Sequence, residues 1–297
     1  MAKHFGENEH KIVDYFKTGT TFILDNQKYV VVLAGKPTCH SGEPKTDIYI
    51  LAESLDGSRK EIKISFKQAN ADFLENKTNA VRAQQLFGNQ WQTIISNSTQ
   101  QIADAFSTRP LIYKNSFGRT QAGSITLGWK FEILNVESGA LSGPIDLSFS
   151  QLVDVYSGSN ISADKRDAMV LGRAIPNSGI ANYIVVEEQY LRNAQDVINS
   201  LISIENYVQQ NPNVFFACKA LNYRSYSNKY DGNRPLAVMV NWFNRNGKLA
   251  YDFIYNNPLL NGGNASFTAL HNALLNLGVR TVDDLNEDNV EDSSIIY

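Results

Sequence analysis

The stretch Pro44-Lys45-Thr46-Asp47-Ile48-Tyr49-Ile50, followed by Lys60-Glu61-Ile62-Lys63-Ile64-Ser65, reads as two neighbouring β-strands. Asp56-Gly57 between them marks a tight turn, so the second strand folds back beside the first. Side chains alternate faces along a strand. Ile62, Ile64 and Phe66 therefore enter a core, while Glu61 and Lys63 share the opposite face. Upstream, Glu7 to Phe16 has a helical stripe of Ile12, Val13 and Phe16. Phe22–Leu24 and Tyr29–Leu33 flank Asp25-Asn26-Gln27-Lys28 as a hairpin. Downstream, helices are expected over Ala69–Phe87, Trp91–Phe106, Asn160–Gly172, Glu187–Val208 and Ala265–Leu277. Strands are expected at Asn182–Val186, Val214–Ala217, Leu236–Phe243 and Leu249–Ile254, and strand-like chain from Leu111 to Asp154. The order is α, β meander, α, then mixed elements. It predicts an α/β (α+β) fold with a mixed central sheet flanked by helices and an elaborated α+β C-terminal half.

The 297 residues suffice for one large domain or two small ones, and 43% hydrophobic with 19% charged residues marks a globular chain. The expected division is a core over 1–108, an extension over 109–280 and an acidic tail over 281–297. The tail carries Asp283, Asp284, Glu287, Asp288, Glu291 and Asp292 with no Lys or Arg, so the net charge of −3 divides into −6 there and +3 over residues 1–280. A solvated, disordered end is the expected reading of the tail. No apolar run is long enough to span a bilayer, so no membrane association is expected. The N-terminus shows no secretory signal pattern, and Cys39 and Cys218 have no paired spacing; both fit a reducing cytoplasm. His4, His10, His40 and His271 have no ligand spacing, and no P-loop, Gly-x-Ser-x-Gly or Cys–His signature is present.

Asp47 opens the first strand, and the turn can bring it near Glu61. Two carboxylates suit Mg²⁺, a hard cation that keeps several waters. Such an ion would polarise a phosphoryl group and acidify a water, with Lys63 orienting that water and neutralising developing charge. The pattern of an Asp followed by acid-x-Lys is loose, and about one or two instances are expected by chance in a chain of this composition. Glu43-Pro44-Lys45 lies in a Pro-bearing loop and Glu75-Asn76-Lys77 in an expected helix, where residues two apart do not share a face. Only Asp47, Glu61 and Lys63 have the strand–turn–strand context. The competing reading is a solvent-facing hairpin with alternating charge.

Pro44-x-x-Asp47, thirteen intervening residues and Glu61-x-Lys63 resemble the PD-(D/E)XK nuclease superfamily, which includes many type II restriction endonucleases. Two residues separate the proline from the aspartate here, a loosening of the family's pattern. The resemblance covers about 80 residues, Glu7 to Phe87. It implies a restriction-endonuclease-like core with a four-stranded mixed sheet, and Mg²⁺-dependent hydrolysis of phosphodiester bonds, with Mn²⁺ as a possible substitute. Asp47 and Glu61 would be metal ligands, Lys63 the water-activating residue, and Glu9 (less favoured, Glu7) an accessory helix acid.

Along the second strand, 61, 63, 65 and 67 share a face, so Ser65 and Lys67 could touch phosphate, and Gln68 and Asn70 a phosphate or base edge. A polar strand end and helix cap is the alternative. In the second half, Lys114 and Arg119 sit in a Gly-rich polar segment, and Arg224 and Arg245 lie among Tyr223, Tyr226, Tyr230, Trp242 and Phe243. Basic residues interleaved with aromatics can bind DNA by phosphate contacts and stacking, and are also ordinary on half-buried sheets. The expected activity is site-specific cleavage of double-stranded DNA by a homodimer matched to a palindromic site, within a restriction system that pairs it with a DNA methyltransferase. The rivals are a structure-reading repair or phage-type nuclease and a non-catalytic DNA-binding or structural protein.

Overall fold

The computed structural model describes residues 2–40, 42–68, 73–76, 78–187 and 191–297; the side chains of 2–7, 68, 73 and 187 lie outside that description. The chain forms a mixed α+β structure of two compact units, Met1–Asp72 with Leu147–Pro212, and Phe73–Asp146 with Asn213–Tyr297. This corrects the expected division at residue 108. The first unit is discontinuous because the strand that completes its sheet is supplied more than 100 residues after β4, at Tyr183–Glu187. Among the described residues no helix is long and apolar enough to cross a membrane.

The first unit opens with helix α1 (Ala2–Tyr15), then strands β1 (Thr21–Leu24), β2 (Gln27–Gly35), β3 (Ile48–Ser54) and β4 (Arg59–Gln68). Asp25 and Asn26 both have positive φ, +52° and +61°, and close a two-residue β1–β2 turn. That geometry matches the right-handed twist of the strands it joins. β1 to β4 form an antiparallel meander, and Tyr183–Glu187 lies parallel to β4, with Ile202–Ser203 at the far edge. Alternation works as the sequence implies. Ile48, Ile50 and Ala52 of β3 and Ile62, Ile64 and Phe66 of β4 share one core with Ile12 of α1, with Phe16 just beyond its end, and with Val197 and Ile198 of the helix Ala194–Asn199.

The expected long helices break where side chains cap the backbone. Asn193 accepts from the Asp196 N–H and Ser203 from the Asn206 N–H, so Glu187–Val208 yields two short helices, Ala194–Asn199 and Ile204–Gln210. In Asn160–Gly172 only Ala163–Arg166 is helical; a tight turn at Leu171 and Gly172, both at positive φ, pairs Met169–Val170 with Arg173–Ala174. Within Ala69–Phe87 the helix begins at Ala80, capped by Asn79, and Phe73–Glu75 is a strand.

In the second unit the strand Ser124–Leu134 lies between Val214–Arg224 and Val238–Arg245, all antiparallel. Gly128 sits at φ +146° where the register shifts, and a Cβ there would stand 2.4 Å from the Val238 carbonyl oxygen. No other residue fits that approach. The acidic tail is ordered, a second correction. Val282, Leu285, Val290 and Ile295 are buried, and the backbone of 289–297 bonds to Leu249 and to Leu111 and Ile112. The acids point outward from an apolar spacing that their number obscures. Ile295→Ala should therefore cost about 2–4 kcal/mol in urea unfolding, whereas a solvated tail would leave the midpoint unchanged.

Candidate functional site

The β3–β4 ladder pairs Ile48 with Ile64, Tyr49 with Lys63 and Leu51 with Glu61. Asp47, one residue before β3, donates its N–H to the Ile64 carbonyl at 2.8 Å, and its Oδ2 accepts the Phe66 N–H at 2.7 Å. Its carboxylate is thus tied to the end of β4, whereas the cross-strand partner of Glu61 lies four residues further along β3. At the rise of a strand, that separation is about 13 Å. The register does not bring Asp47 and Glu61 to one ion, which corrects the expected ligand pair.

Asp47 has other company. It is half-buried, and burial pushes its carboxyl up to about 6. The Lys67 ammonium pulls it down, Glu9 pushes it further up, and the Phe66 N–H and Lys36 pull it down. Lys36 follows the end of β2, and its Nζ donates to Glu9 Oε2 at 2.5 Å. Burial lowers the Lys36 ammonium, but the Glu9 hydrogen bond and the charges of Glu9, Glu43 and Asp47 outweigh this and hold it above the ordinary lysine value. Thr46 and Ser65 flank the same strand end, each 1% exposed, and among the described residues their hydroxyls have no hydrogen-bond partner. Two carboxylates, Glu9 and Asp47, and two ammoniums, Lys36 and Lys67, therefore act on one another where α1 and the ends of β2, β3 and β4 meet. Buried hydroxyls without partners call for a ligand or water.

Glu9 and Asp47 fit a hard divalent cation by donor chemistry: each is a carboxylate, and their mutual repulsion is a cost that a cation would remove. Among the described residues no group of three His, Cys, Asp or Glu side chains is placed to hold a metal, so water or substrate oxygens would complete the coordination.

Glu61 and Lys63 belong to a different network. Tyr49 donates its hydroxyl to Glu61 Oε1 at 2.5 Å, and Lys63 Nζ stands 3.8 Å from Glu61 Oε2 while donating to the Asn177 carbonyl at 3.2 Å. Burial, with the Glu61 bond, pushes the Tyr49 hydroxyl up, so Tyr49 stays a donor. Asn182 bridges the strand backbone, accepting from the Lys63 N–H at 2.8 Å and donating to the Glu61 carbonyl at 3.0 Å. The Lys63 ammonium and N–H and the Glu61 carbonyl thus hold β4 to the segment around 177–182, while the Glu61 carboxylate ties to Tyr49 of β3 and to Lys63.

Of the other expected contacts, Ser65 and Lys67 lie at the Asp47 end, Gln68 has only its backbone described, and Asn70 lies outside the described residues. In the second unit Arg224 is paired with Asp231 at 2.8 Å and Arg245 with Glu291 at 3.3 Å. Lys114 donates to the Asp283 carbonyl at 3.4 Å, and Arg119 is exposed. Lys36 and Thr46 were not anticipated. Lys36 sits in a loop whose sequence spacing to Glu9 carries no signal; only strand pairing brings it there.

No family model, no curated protein and no solved structure matches this chain.

The raised Asp47 carboxyl has a stability consequence. A carboxyl that binds its proton more tightly when folded adds stability that is complete below its unfolded value of 3.8 and is lost as pH rises through about 6. Asp47→Asn keeps an acceptor for the Phe66 N–H and removes the charge. In EDTA the variant should gain on the order of 2–3 kcal/mol over wild type at pH 8 relative to pH 4, measured by urea unfolding across that range. Parallel wild-type and variant profiles would refute the assignment.

Proposed function

We propose that this protein is a Mg²⁺-dependent endonuclease that hydrolyses phosphodiester bonds of double-stranded DNA, and that its hydrolytic site comprises Glu9, Asp47 and Lys67. The observation that carries this reading is the half-buried Asp47 carboxyl, raised to about 6, with a second carboxylate and two ammoniums acting on it at a strand end. A carboxyl strongly perturbed by burial and by specific charge partners marks a candidate functional position. β2, β3, β4 and the parallel strand Tyr183–Glu187, with α1 packed on them, form a mixed four-stranded stretch of the kind the PD-(D/E)XK resemblance implies. That supports the fold half of the proposal. Relative to the sequence motif, the lysine position moves four residues, two pleat repeats, along β4 from Lys63 to Lys67, and Glu9 supplies the second acid in place of Glu61.

Mg²⁺ or Mn²⁺ held by Asp47 and Glu9 would supply polarisation of the phosphoryl group and acidification of a water. Lys67 neutralises charge developing on the phosphate as the water attacks in line. Lys36 holds the Glu9 carboxylate in one orientation through their hydrogen bond. The Phe66 N–H does the same for Asp47. The P–O3′ bond breaks, leaving 5′-phosphate and 3′-hydroxyl ends. A site-specific type II enzyme, acting as a homodimer in the cytoplasm beside a cognate methyltransferase, is the form of the proposal that suits a chain with no recognised ATPase motif.

Digestion of unmethylated plasmid and phage DNA with Mg²⁺ tests it. Asp47→Asn, Glu9→Gln and Lys67→Met should each lose about 100-fold or more in cleavage rate, while Glu61→Gln stays within about threefold, as expected for a surface change. Discrete bands support sequence reading; smears or cuts only at forks and flaps support the structure-reading rival. Equal cutting by wild type and Asp47→Asn would sink the site, and loss in Glu61→Gln but not in Glu9→Gln would return it to the middle of the hairpin.

A further inference from the structure

The second unit contains a hollow that the hydrolytic reading does not use. Its volume is about 290 Å³, and it is lined by Arg109, Tyr113, Phe117, Arg119, Trp129 and Lys219 among others. A second hollow of about 230 Å³ shares Arg119, Thr120 and Ala220 with it, so the two are neighbours on either side of those residues. Both lie within the second unit.

The chemistry of the lining is specific. Arg109 and Arg119 make no guanidinium hydrogen bond or ion pair among the described residues, while Lys219 is neutralised by buried Glu132 at 3.1 Å and Arg224 by Asp231 at 2.8 Å. Two free guanidiniums remain in one concave place. An unpaired arginine is the residue suited to bidentate phosphate recognition. Beside them stands an aromatic platform. Phe117 is 43% exposed, and its ring is backed by Tyr113 at 6.3 Å and Tyr297 at 4.8 Å between centroids. A large exposed phenylalanine costs solubility, yet this ring is packed against two neighbouring rings and still lines the hollow with much of its surface open. The backbone that carries it is also fixed, because Phe117 and Thr120 exchange two hydrogen bonds of 2.9 Å across Gly118 and Arg119. Phe117 and Arg119 are thus presented together by one tight turn. Trp129, 2% exposed, forms part of the wall.

We infer that this hollow binds one nucleotide, its base stacked on Phe117 and its phosphate held by Arg109 and Arg119. The combination of a π-face and paired guanidiniums fits a nucleotide better than an acidic peptide, which would use the cations and leave the ring idle. The size admits one unpaired nucleotide and excludes a duplex. The ligand is either a free nucleoside monophosphate or a nucleotide of an unpaired or everted stretch of a DNA strand. The inference concerns binding in the second unit and stands apart from cleavage in the first.

The test uses the full chain in EDTA, where hydrolysis is silent. Anisotropy of a short fluorescein-labelled single-stranded oligonucleotide reports strand binding, with duplex of the same sequence and free deoxynucleoside monophosphates as competitors. Arg109→Ala and Arg119→Ala should each weaken binding by about 10- to 100-fold, the loss typical of a charge-assisted hydrogen bond. Each should also reduce the salt slope by about 0.7 per lost phosphate contact. Phe117→Leu should weaken binding with no change in that slope, because it removes the ring and leaves the charges. Arg245→Ala, outside the hollow, is the control and should bind as wild type. Competition by free monophosphates identifies the free nucleotide as a ligand; competition by oligonucleotide alone identifies the strand. No binding of either probe, or binding that Arg109→Ala, Arg119→Ala and Phe117→Leu leave intact, overturns the inference. Arginine-dependent binding by a protein that never cuts DNA would uphold it while removing the hydrolytic reading.

Discussion

The register of β3 against β4 is the constraint on which the first unit depends. It is closed at one end by Asp47, whose N–H goes to Ile64 and whose carboxylate takes the Phe66 N–H. With that register, Ile48, Ile50, Ile62, Ile64 and Phe66 enter one core with α1. A slip by one residue would turn all of them to the other face. The same pairing decides which charged groups meet. It sends Glu61 and Lys63 into a network with Tyr49, Asn177 and Asn182, and leaves Asp47 at the strand end with Lys67.

The strand end concentrates unfavourable terms. A half-buried carboxyl, a second acid that raises it further and two buried hydroxyls that have no partner among the described residues all sit beside a core whose apolar members are almost fully enclosed. Two ammoniums moderate the cost without removing it, since the Asp47 carboxyl is still pushed up to about 6. A fold under selection for stability alone would replace Asp47 by an amide or an apolar residue. Local conflict of this kind, set in otherwise consistent packing, is the physical mark of a place kept for chemistry.

The second unit follows a different logic. Its long strands Ser124–Leu134 and Val214–Arg224 pair through a register shift that Gly128 permits, and Phe131 stacks on Phe216 at 5.5 Å. The acidic tail completes this unit rather than trailing from it, with apolar side chains at 282, 285, 290 and 295 turned inward. Arg82, Lys219, Arg224 and Arg245 pair with acids, so the sequence pattern alone overstated the number of cations available to a ligand. Arg109 and Arg119 are informative because they line one hollow without such a pair among the described residues.

The hairpin of β3 and β4, its alternation, the meander before it and the mixed α+β class were legible in the sequence, because period and turn residues are local properties of the chain. Asp47 and Lys67 stood out for the same reason. Helix breaks at Asn193 and Ser203 were less visible, since a capping side chain competes with helix continuation by only about 1 kcal/mol and tertiary packing decides between them. Glu9 and Lys36, 27 residues apart in the chain, were joined only by the packing of α1 against the sheet. The sequence by itself determined which residues carry charge and which alternate into strands. Tertiary structure alone decided which carboxylates are neighbours, because an antiparallel register places residues by their distance from the turn and not by their spacing in a motif.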